Sequence, residues 1–133
     1  MVKILVVDDE ADLEVLIKQK FRRKIREQAY EFVFAINGVH ALEQLEIHKD
    51  VRLVLCDINM PEMDGLTLLS ELNEKHTLLK SIIVSAYGDM DNIRTAMNRG
   101  AFDFITKPVN FEDLELTMEK TIKYVNQVQE TIR

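Results

Sequence analysis

The sequence contains a single cysteine, Cys56, so no disulfide can form within one chain. Such sparse use of cysteine favours a reducing compartment, and we expect a cytoplasmic protein. No apolar run approaches the roughly 18 residues that a helix needs to cross a bilayer, which argues against a membrane protein. The first residues carry one basic side chain and no small-residue cleavage pattern, so we expect mature protein rather than a signal peptide.

An excess of positive charge is also missing. The 133 residues include 17 Lys and Arg against 23 Asp and Glu, which gives a formal net charge of −6. Direct binding to nucleic acid needs a basic surface and is therefore not expected. A Gly-rich phosphate loop ending in Lys-Ser or Lys-Thr is absent as well, which excludes a GTPase-like switch. The composition, 47% hydrophobic and 30% charged, fits one globular domain without linkers, repeats or low-complexity segments.

Five short apolar runs rich in β-branched residues alternate with segments whose apolar residues recur at helical spacing. The first run is apolar throughout, which is typical of a strand covered by helices on both faces. The alternation predicts an α/β fold in which a five-stranded parallel sheet lies between layers of five helices. We place the strands at 3–7, 31–36, 53–56, 81–84 and 102–106, and the first helix at 11–28.

Residues that favour helix ends support these boundaries. Asn110 is expected to cap the last helix, and either Asp89 or Asp91 the helix before it. Gly100 follows that helix at the position where a glycine commonly ends one. These signals place the fourth helix between the fourth and fifth strands.

Polar side chains stand at the ends of four of the five predicted strands. Asp57 ends the third run, and Asp8 and Asp9 end the first. Ser85 and Lys107 follow the fourth and fifth runs. Ligands of an open parallel sheet bind in the crevice at the carboxyl ends of its strands. We therefore expect these five side chains to converge on one site.

The three aspartates of this group predict a metal ion. Carboxylates that converge from neighbouring strands repel one another and raise each other's proton affinity, and a divalent cation offsets that repulsion. Oxygen ligands with room for waters suit Mg²⁺. Asn59, two residues after Asp57, could add its backbone carbonyl as a further ligand.

A metal held beside a carboxylate, with an ammonium group and a hydroxyl facing it, favours phosphoryl transfer. Asp57 is the central candidate for the phosphoryl acceptor. Lys107 would neutralise developing negative charge, and Ser85 would donate a hydrogen bond to the transferred group. The sequence therefore predicts a phosphorylated aspartate.

Four segments, in chain order, together resemble the receiver domain of bacterial two-component response regulators. They are VVDDE, DINMPEMDG, IIVSAYGD and GAFDFITKP. The resemblance covers about residues 1–125 and leaves 126–133 as a helical extension, a linker or a dimer helix. It implies a flavodoxin-like, doubly wound sheet with strand order 2-1-3-4-5.

The resemblance also implies a role for each site residue. Asp57 would accept the phosphoryl group from a histidine kinase or a phosphotransfer protein, with Mg²⁺, or Mn²⁺ in its place, bound at the acidic cluster. The metal ligands would be Asp8, Asp9, Asp57 and the Asn59 carbonyl. Lys107 and Ser85 would support catalysis, Ser85 and Phe104 would act as the switch, and Tyr87 and Pro108 would modulate it. The Lys107–Pro108 bond would be cis.

By the same resemblance, the protein is a signalling switch with slow self-catalysed phosphotransfer and dephosphorylation, and not a metabolic enzyme. Phosphorylation of Asp57 would draw Ser85 toward the phosphoryl oxygens and let Phe104 turn inward. The surface formed by the fourth helix, fifth strand and fifth helix would then change shape for a partner. Phosphorylation is expected to shift the balance between two existing conformations.

Each of these residues also has an ordinary structural interpretation. Taken alone, Asp8 and Asp9 could cap the first helix, and Ser85 could be a turn residue. Phe104 alone would be a core residue, and Lys107 a solvated loop lysine. Their joint placement relative to the strand ends is what favours the functional interpretation.

Other function classes stay open as alternatives. A Mg²⁺-dependent aspartate-nucleophile phosphatase of the haloacid-dehalogenase type also uses strand-tip carboxylates, but it needs a second Asp at the place of Asn59. A degenerate receiver that serves only as a dimerisation scaffold would have no need of clustered carboxylates.

The last helix is predicted to extend past the domain. Its apolar residues continue at helical spacing, and we expect Val125, Val128 and Ile132 to face solvent. Such a stripe suggests a homodimer through this helix or a connection to an output domain. We therefore expect the N-terminal part of a longer regulator, with a stand-alone single-domain regulator as the alternative.

The polar face of the first helix is basic. A solvated face is the ordinary interpretation, and a docking patch for the kinase or a phosphatase is the functional one. The basic residues are Lys18, Lys20, Arg22, Arg23, Lys24 and Arg26.

Overall fold

In a computed structural model, the chain forms a parallel sheet with helices on both of its faces. The structure describes residues 1–58, 65–76, 78–86 and 88–132, without the side chains of 11, 12 and 129–132. The described strands are β1 (Val2–Val7), β2 (Tyr30–Ala35), β3 (Val51–Asp57), β4 (Lys80–Ala86) and β5 (Asp103–Lys107). The described helices are α1 (Ala11–Lys20), α2 (Arg22–Arg26), α3 (Gly38–Ile47), α4 (Gly65–Lys75), α5 (Met90–Asn98) and α6 (Phe111–Ile132).

The sheet has the predicted topology. Its five strands are all parallel and lie in the order β2-β1-β3-β4-β5. Each strand is followed by at least one helix before the next strand begins. The doubly wound α/β fold is therefore confirmed. The carboxyl ends of β1, β3 and β4 are neighbours, and we call this end of the sheet its carboxyl edge.

The first helix differs from the prediction, because the described part of the chain holds two helices where one was expected over 11–28. α1 ends just before Phe21 and α2 begins just after it, and Phe21 itself has φ −103° and ψ 16°. Its ring is 2% exposed and packs against Tyr30 and Phe32, with ring centroids 6.0 and 5.7 Å apart. Ile25 on α2 still packs against the same core, so the apolar spacing continues across the break and conceals it.

Two apolar clusters, one on each face, hold the sheet. Successive residues of β1 alternate between them: Ile4 and Val6 contribute to the cluster under α1 and α6, and Leu5 and Val7 to the cluster under α3 and α4. All four side chains are at most 1% exposed. Burial of each such side chain stabilises the fold by about 1.5–3 kcal/mol. With both faces covered, the strand ends are where the sheet can present polar groups.

The predicted helix ends are largely confirmed. The side chain of Asn110 accepts hydrogen bonds from the backbone N–H groups of Glu112 and Asp113, at 3.0 and 3.2 Å. Gly100 follows α5 with a φ of +106°, a left-handed conformation in which glycine carries no Cβ penalty. Asp89 does occupy the N-cap position of α5, but its side chain makes no capping hydrogen bond.

The prediction that Val125 on the last helix faces solvent is wrong. This side chain is 2% exposed and lines, with Leu53 and Ile122, a cavity of about 210 Å³ below the amino ends of β1 and β3. The sheet extends far enough that its amino end is covered by this part of α6, which the spacing of apolar residues does not reveal. Val128 is partly buried, and the side chain of Ile132 lies outside the described residues. Although α6 has 22 residues, no helix of the described chain is apolar enough over a membrane-spanning length.

Candidate functional site

Three aspartates meet at the carboxyl edge of the sheet. Asp57 is the last residue of β3, and Asp8 directly follows β1, the strand hydrogen-bonded beside it. Asp8, Asp9 and Asp57 each place one carboxylate oxygen within 4.8 Å of the others. Asp57 is 3% exposed, whereas Asp9 is open to solvent. The cluster thus has a buried base and an exposed rim.

Burial shapes the electrostatics of this cluster. It raises the pKa of Asp8 to about 6, and the negative charge of Asp57 acts in the same direction. The backbone N–H of Glu10, which donates to Asp8 Oδ1 at 2.8 Å, and the charge of Lys107 act in the opposite direction without cancelling the effect. The cluster therefore holds more negative charge than its protein surroundings compensate.

One ammonium group reaches the buried aspartate. Lys107 ends β5, two strands away from β3, and its Nζ donates to Asp57 Oδ2 at 2.9 Å across the end of β4. Burial by itself lowers the pKa of Lys107, but the hydrogen bond to Asp57 and the charges of Asp57, Asp8 and Glu10 outweigh it and raise that pKa. The Lys107–Pro108 bond is cis, as predicted.

The cluster fits a hard divalent cation. Its ligand atoms are carboxylate oxygens throughout, and two of the three aspartates remain accessible from solvent. Mg²⁺ prefers such oxygen ligands and keeps several waters, for which the exposed rim leaves room. Burial and, to a smaller extent, the charge of Asp57 raise the pKa of Asp8, and a bound cation would favour the charged carboxylate again. Asn59, the predicted carbonyl ligand, lies outside the described residues.

Ser85 lies at the same edge, and its hydroxyl is bound to Asp89. It follows Val84, which pairs with Asp57 in the β3–β4 register, and it is fully buried. Its Oγ donates to Oδ2 of Asp89 at 3.3 Å. Sequence reasoning treated Asp89 only as a helix cap. The available signal was its position four residues after Ser85, across a turn that contains Gly88.

Gly65 also contributes to the site, by allowing close packing that the sequence alone does not indicate. A Cβ at this position would collide with the carbonyl oxygen of Asp57 and the Cα of Ile58. Its own N–H donates to the carbonyl of Ile58 at 2.9 Å. The first turn of α4 therefore rests directly on the backbone that carries Asp57.

The remaining predicted residues lie outside the cluster. Phe104 is on β5, where its side chain is 37% exposed rather than packed in the core. Pro108 follows Lys107 and is exposed. Tyr87 lies outside the described residues. Cys56 is buried, and its thiol donates to the Asp57 carbonyl at 3.4 Å, so it is part of the core beside the site.

The structure separates the basic patch from this edge. α1 starts beside Asp9 and runs about 15 Å along its ten residues before α2 begins. Arg22 and Arg23 are thus at the far end of the helix, and Lys24 is held 4.0 Å from Glu115. A partner that docks on this patch would contact the domain well away from Asp57.

Comparison with known proteins points to one family. The family model of the response regulator receiver domain matches residues 4–119. The chain is 35% identical over 123 residues to the transcriptional regulatory protein ZraR of Klebsiella oxytoca, covering 92% of this chain and 27% of ZraR. It is 34% identical over 129 residues to the regulatory protein AtoC of Escherichia coli K12, covering 96% of this chain and 27% of AtoC. The chain thus spans about a quarter of the length of these curated relatives.

Solved structures agree with this match. NtrX from Brucella abortus, in complex with ADP, has a TM-score of 0.85 at 31% identity, covering 98% of this chain and 29% of that chain. A CheY-like response regulator receiver domain protein from Methanospirillum hungatei JF-1 has a TM-score of 0.80 at 28% identity, covering 96% of this chain and 98% of that one. With the family match across 4–119 and this fold, the chain belongs to the response regulator receiver domain family.

Proposed function

We propose that the chain is a phosphorylation-activated switch in which Asp57 accepts a phosphoryl group from a histidine kinase or a phosphotransfer protein. The observation that carries the proposal is the setting of Asp57: a carboxylate 3% exposed, 2.9 Å from the Lys107 ammonium and grouped with two further aspartates. A structural ion pair would not need the two extra carboxylates. An acceptor that works with a metal ion would.

In the proposed reaction, a carboxylate oxygen of Asp57 attacks the phosphorus of a phosphohistidine. The new O–P bond forms as the P–N bond breaks, and the histidine nitrogen leaves with the bonding electron pair. The ammonium of Lys107 neutralises charge on the carboxylate and on the transferred group. Slow hydrolysis of the acyl phosphate returns Asp57 and inorganic phosphate.

The metal ligands in this proposal are Asp8, Asp9 and Asp57, with the backbone carbonyl of Asn59 as a further one. When bound, Mg²⁺, or Mn²⁺ in its place, supplies positive charge beside the phosphoryl oxygens. The support comes from the shared 4.8 Å neighbourhood of the three carboxylates and from the raised pKa of Asp8. Asp9 at the exposed rim would admit the ion from solvent.

Switching is proposed to run from Ser85 to the outer surface of β5. In the conformation described here, the Ser85 hydroxyl donates to Asp89 and Phe104 is exposed, as expected of the unphosphorylated state. Transfer of the hydroxyl to the phosphoryl group would let Phe104 turn inward. The surface of α5, β5 and α6 would then change, while Tyr87 and Asn59 modulate the lifetime of the phosphorylated form.

We further propose that residues 1–125 act as the receiver and 126–133 as an extension toward an output domain or a second copy of the chain. Support comes from relatives that are regulators about four times as long as the match. A stand-alone single-domain regulator is the alternative. Because Val125 is buried, we propose that a homodimer would use the part of α6 that follows it.

Incubation with acetyl phosphate and Mg²⁺, followed by intact-mass analysis, tests the acceptor. Wild type is expected to gain the mass of one phosphoryl group, and Asp57→Asn to gain none. Asp50→Asn, which removes an aspartate at the opposite edge of the sheet, is the matched control and should label like wild type. Equal labelling of Asp57→Asn would refute the proposal. Repeated turnover of small phosphomonoesters would indicate the phosphatase instead.

A further inference from the structure

Asp89 occupies the N-cap position of α5 without capping it. Its Oδ2 accepts hydrogen bonds from Ser85 Oγ at 3.3 Å and from Asn92 Nδ2 at 2.9 Å, and its side chain makes no bond to a backbone N–H of the first turn. Its backbone has φ −83° and ψ 57°, whereas a capping residue normally adopts the extended region. The side chain is thus committed to the buried serine and not to the helix that it precedes.

A tight turn brings Asp89 back over the end of β4. The N–H of Asp89 donates to the carbonyl of Ala86 at 3.2 Å, and Gly88 within this turn has a φ of +84°. Positive φ at the third position of a turn favours glycine. Because the turn folds back, the carboxylate lies beside Ser85 although three residues lie between them in the chain.

We propose that Asp89 is a positioning residue with two alternative hydrogen-bonding positions. In the first, seen here, it accepts the hydrogen bond of the Ser85 hydroxyl. In the second, the hydroxyl has moved to the phosphoryl group, and the released carboxylate caps α5 by accepting from the backbone N–H of Asp91 or Asn92. The second position rests on the proposed function, since the phosphoryl group is what takes the hydroxyl.

The Ser85 hydroxyl cannot donate to Asp89 and to the phosphoryl group at the same time. A serine hydroxyl has one proton and can donate it to one acceptor at a time. Ser85 is fully buried, so Asp89 and the phosphoryl group compete for that proton with little interference from water. The separation of 3.3 Å is longer than the usual 2.7–2.8 Å of an O–H···O bond, so Asp89 holds the hydroxyl weakly enough to be displaced.

The displaced carboxylate has a second use because Asn92 keeps it near the helix. The Asn92 side chain donates to Asp89 from the first turn of α5, so the carboxylate stays within reach of the first-turn N–H groups in both positions. Capping would satisfy one of the donors that every helix leaves unpaired at its start. Movement of one hydroxyl would thereby order the first turn of α5, which belongs to the surface that switching is proposed to change.

The first experiment needs no phosphoryl chemistry. In unphosphorylated Ser85→Ala, Asp89 loses its competing donor, and capping should slow hydrogen exchange of the Asp91 or Asn92 amide about three- to tenfold, as measured by NMR. Ser81→Ala removes another buried serine of β4, far from Asp89, and should leave both amides unchanged. Unchanged exchange in Ser85→Ala, or equal slowing in Ser81→Ala, would overturn the proposal.

The second experiment measures binding of beryllofluoride, a phosphoryl mimic, in the presence of Mg²⁺. Asp89→Ser retains a capping hydroxyl but is too short to hold Ser85, and Asp89→Ala removes both abilities. Both should lower the apparent Kd for beryllofluoride about two- to tenfold, because the binding-competent position of Ser85 becomes more populated. Only Asp89→Ser should also show protected first-turn amides.

An unchanged or higher Kd in both variants would contradict the hold on Ser85, and protection in Asp89→Ala would contradict the capping role. If wild type binds no beryllofluoride at all, the proposed function fails instead. The exchange comparison between Ser85→Ala and Ser81→Ala would then still decide whether Asp89 alternates between serine and helix.

Discussion

Charged side chains of the same kinds, lysines and carboxylates, lie at both ends of the strands, which we call the amino edge and the carboxyl edge of the sheet. The two groups differ in how the pKa values of their aspartates are shifted. At the amino edge, Lys3 Nζ lies 3.0 Å from Asp50 and 3.1 Å from Glu31. Hydrogen bonds to Asp50 and Glu31 raise the pKa of Lys3, and the hydrogen bond from Lys3 lowers the pKa of Asp50. At the carboxyl edge, burial and the charge of Asp57 raise the pKa of Asp8 to about 6. The charged form of an aspartate is thus favoured at the amino edge, in Asp50, and disfavoured at the carboxyl edge, in Asp8.

This difference distinguishes a structural charge cluster from the one that we propose to be functional. In the amino-edge cluster each carboxylate is paired with Lys3, and both carboxylates are exposed, so the ion pairs contribute little to stability. Among the described residues, the carboxyl-edge cluster sets the ammonium group of Lys107 against three carboxylates, and Asp57 within it is buried. Excess negative charge on oxygen ligands is what a divalent cation offsets when it binds. The direction of the aspartate pKa shift, lowered at Asp50 and raised at Asp8, distinguishes the two edges.

The largest expected effect comes from the backbone that supports the carboxyl edge. Gly65→Ala places a Cβ against the backbone of Asp57 and Ile58, which cannot move aside as a side chain could. We expect a loss of about 3 kcal/mol in the free energy of unfolding, measured by urea denaturation. Gly88→Ala is the matched control: its Cβ meets nothing within 4 Å, and its φ of +84° costs about 1–2 kcal/mol. An equal loss in the two variants would contradict a close fit of α4 on Asp57.

Magnesium should act on one edge only. At about 100 times its Kd, Mg²⁺ should raise the free energy of unfolding by about 2.7 kcal/mol, because only the folded state brings the three carboxylates together. Asp9→Asn should lose most of that gain, whereas Asp50→Asn should keep it. Thermal unfolding with and without the ion measures both. If Asp50→Asn loses as much as Asp9→Asn, the ion does not bind at the carboxyl edge.

Neutralising one aspartate at each edge should change stability in opposite directions. Without metal at pH 7, Asp8→Asn should stabilise the fold by about 1 kcal/mol, a value reduced for the partial exposure of Asp8. Asparagine still accepts from the Glu10 N–H. Asp50→Asn removes a partner of Lys3 and should destabilise the fold slightly. Urea denaturation in the presence of a chelator measures the pair, and a decrease in both variants would remove the distinction between the edges.

The pH dependence of Asp8 follows from the same shift. Its folded pKa is raised to about 6 from an ordinary value of 3.8, so the folded state binds the proton more tightly than the unfolded chain does. Its contribution to the stability of the metal-free protein is therefore fully present below pH 3.8 and is lost as the pH rises through 6. In Asp8→Asn this dependence should disappear between pH 4 and 6. An unchanged pH profile would show that Asp8 is not the group that titrates there.

Sequence spacing could predict the carboxyl edge because strand ends are visible in a sequence. An apolar run that stops at Asp57 or Asp8 shows where a strand ends, and the order of a doubly wound sheet brings such ends together. The convergence of Asp8, Asp9, Asp57 and Lys107 needs no further information than that. The five parallel strands followed from the alternation of periods, whereas their order followed from the resemblance to receiver domains.

The features that sequence could not predict depend on register or on a single torsion angle. The Lys3 cluster forms because Lys3 pairs with Glu31 in the β1–β2 register, which no spacing along the chain specifies. The break at Phe21 leaves the apolar spacing intact. The choice of Asp89 between helix and serine depends on its ψ of 57°, and a capping residue looks the same in sequence whether or not it caps.

The smallest expected effect concerns the amino edge at alkaline pH. The hydrogen bond to Asp50 and, to a smaller extent, the one to Glu31 raise the pKa of Lys3 above its ordinary value of 10.5. The contribution of Lys3 to stability is therefore fully present below pH 10.5 and is lost as the pH rises through its folded pKa. Lys3→Arg keeps a positive charge throughout that range and should show a shallower alkaline loss in urea denaturation. Tyr30, whose pKa burial raises, titrates in both proteins, so the difference between the two curves isolates Lys3. Identical curves would mean that the amino-edge charges do not stabilise one another, and the contrast with the carboxyl edge would then rest on Asp8 alone.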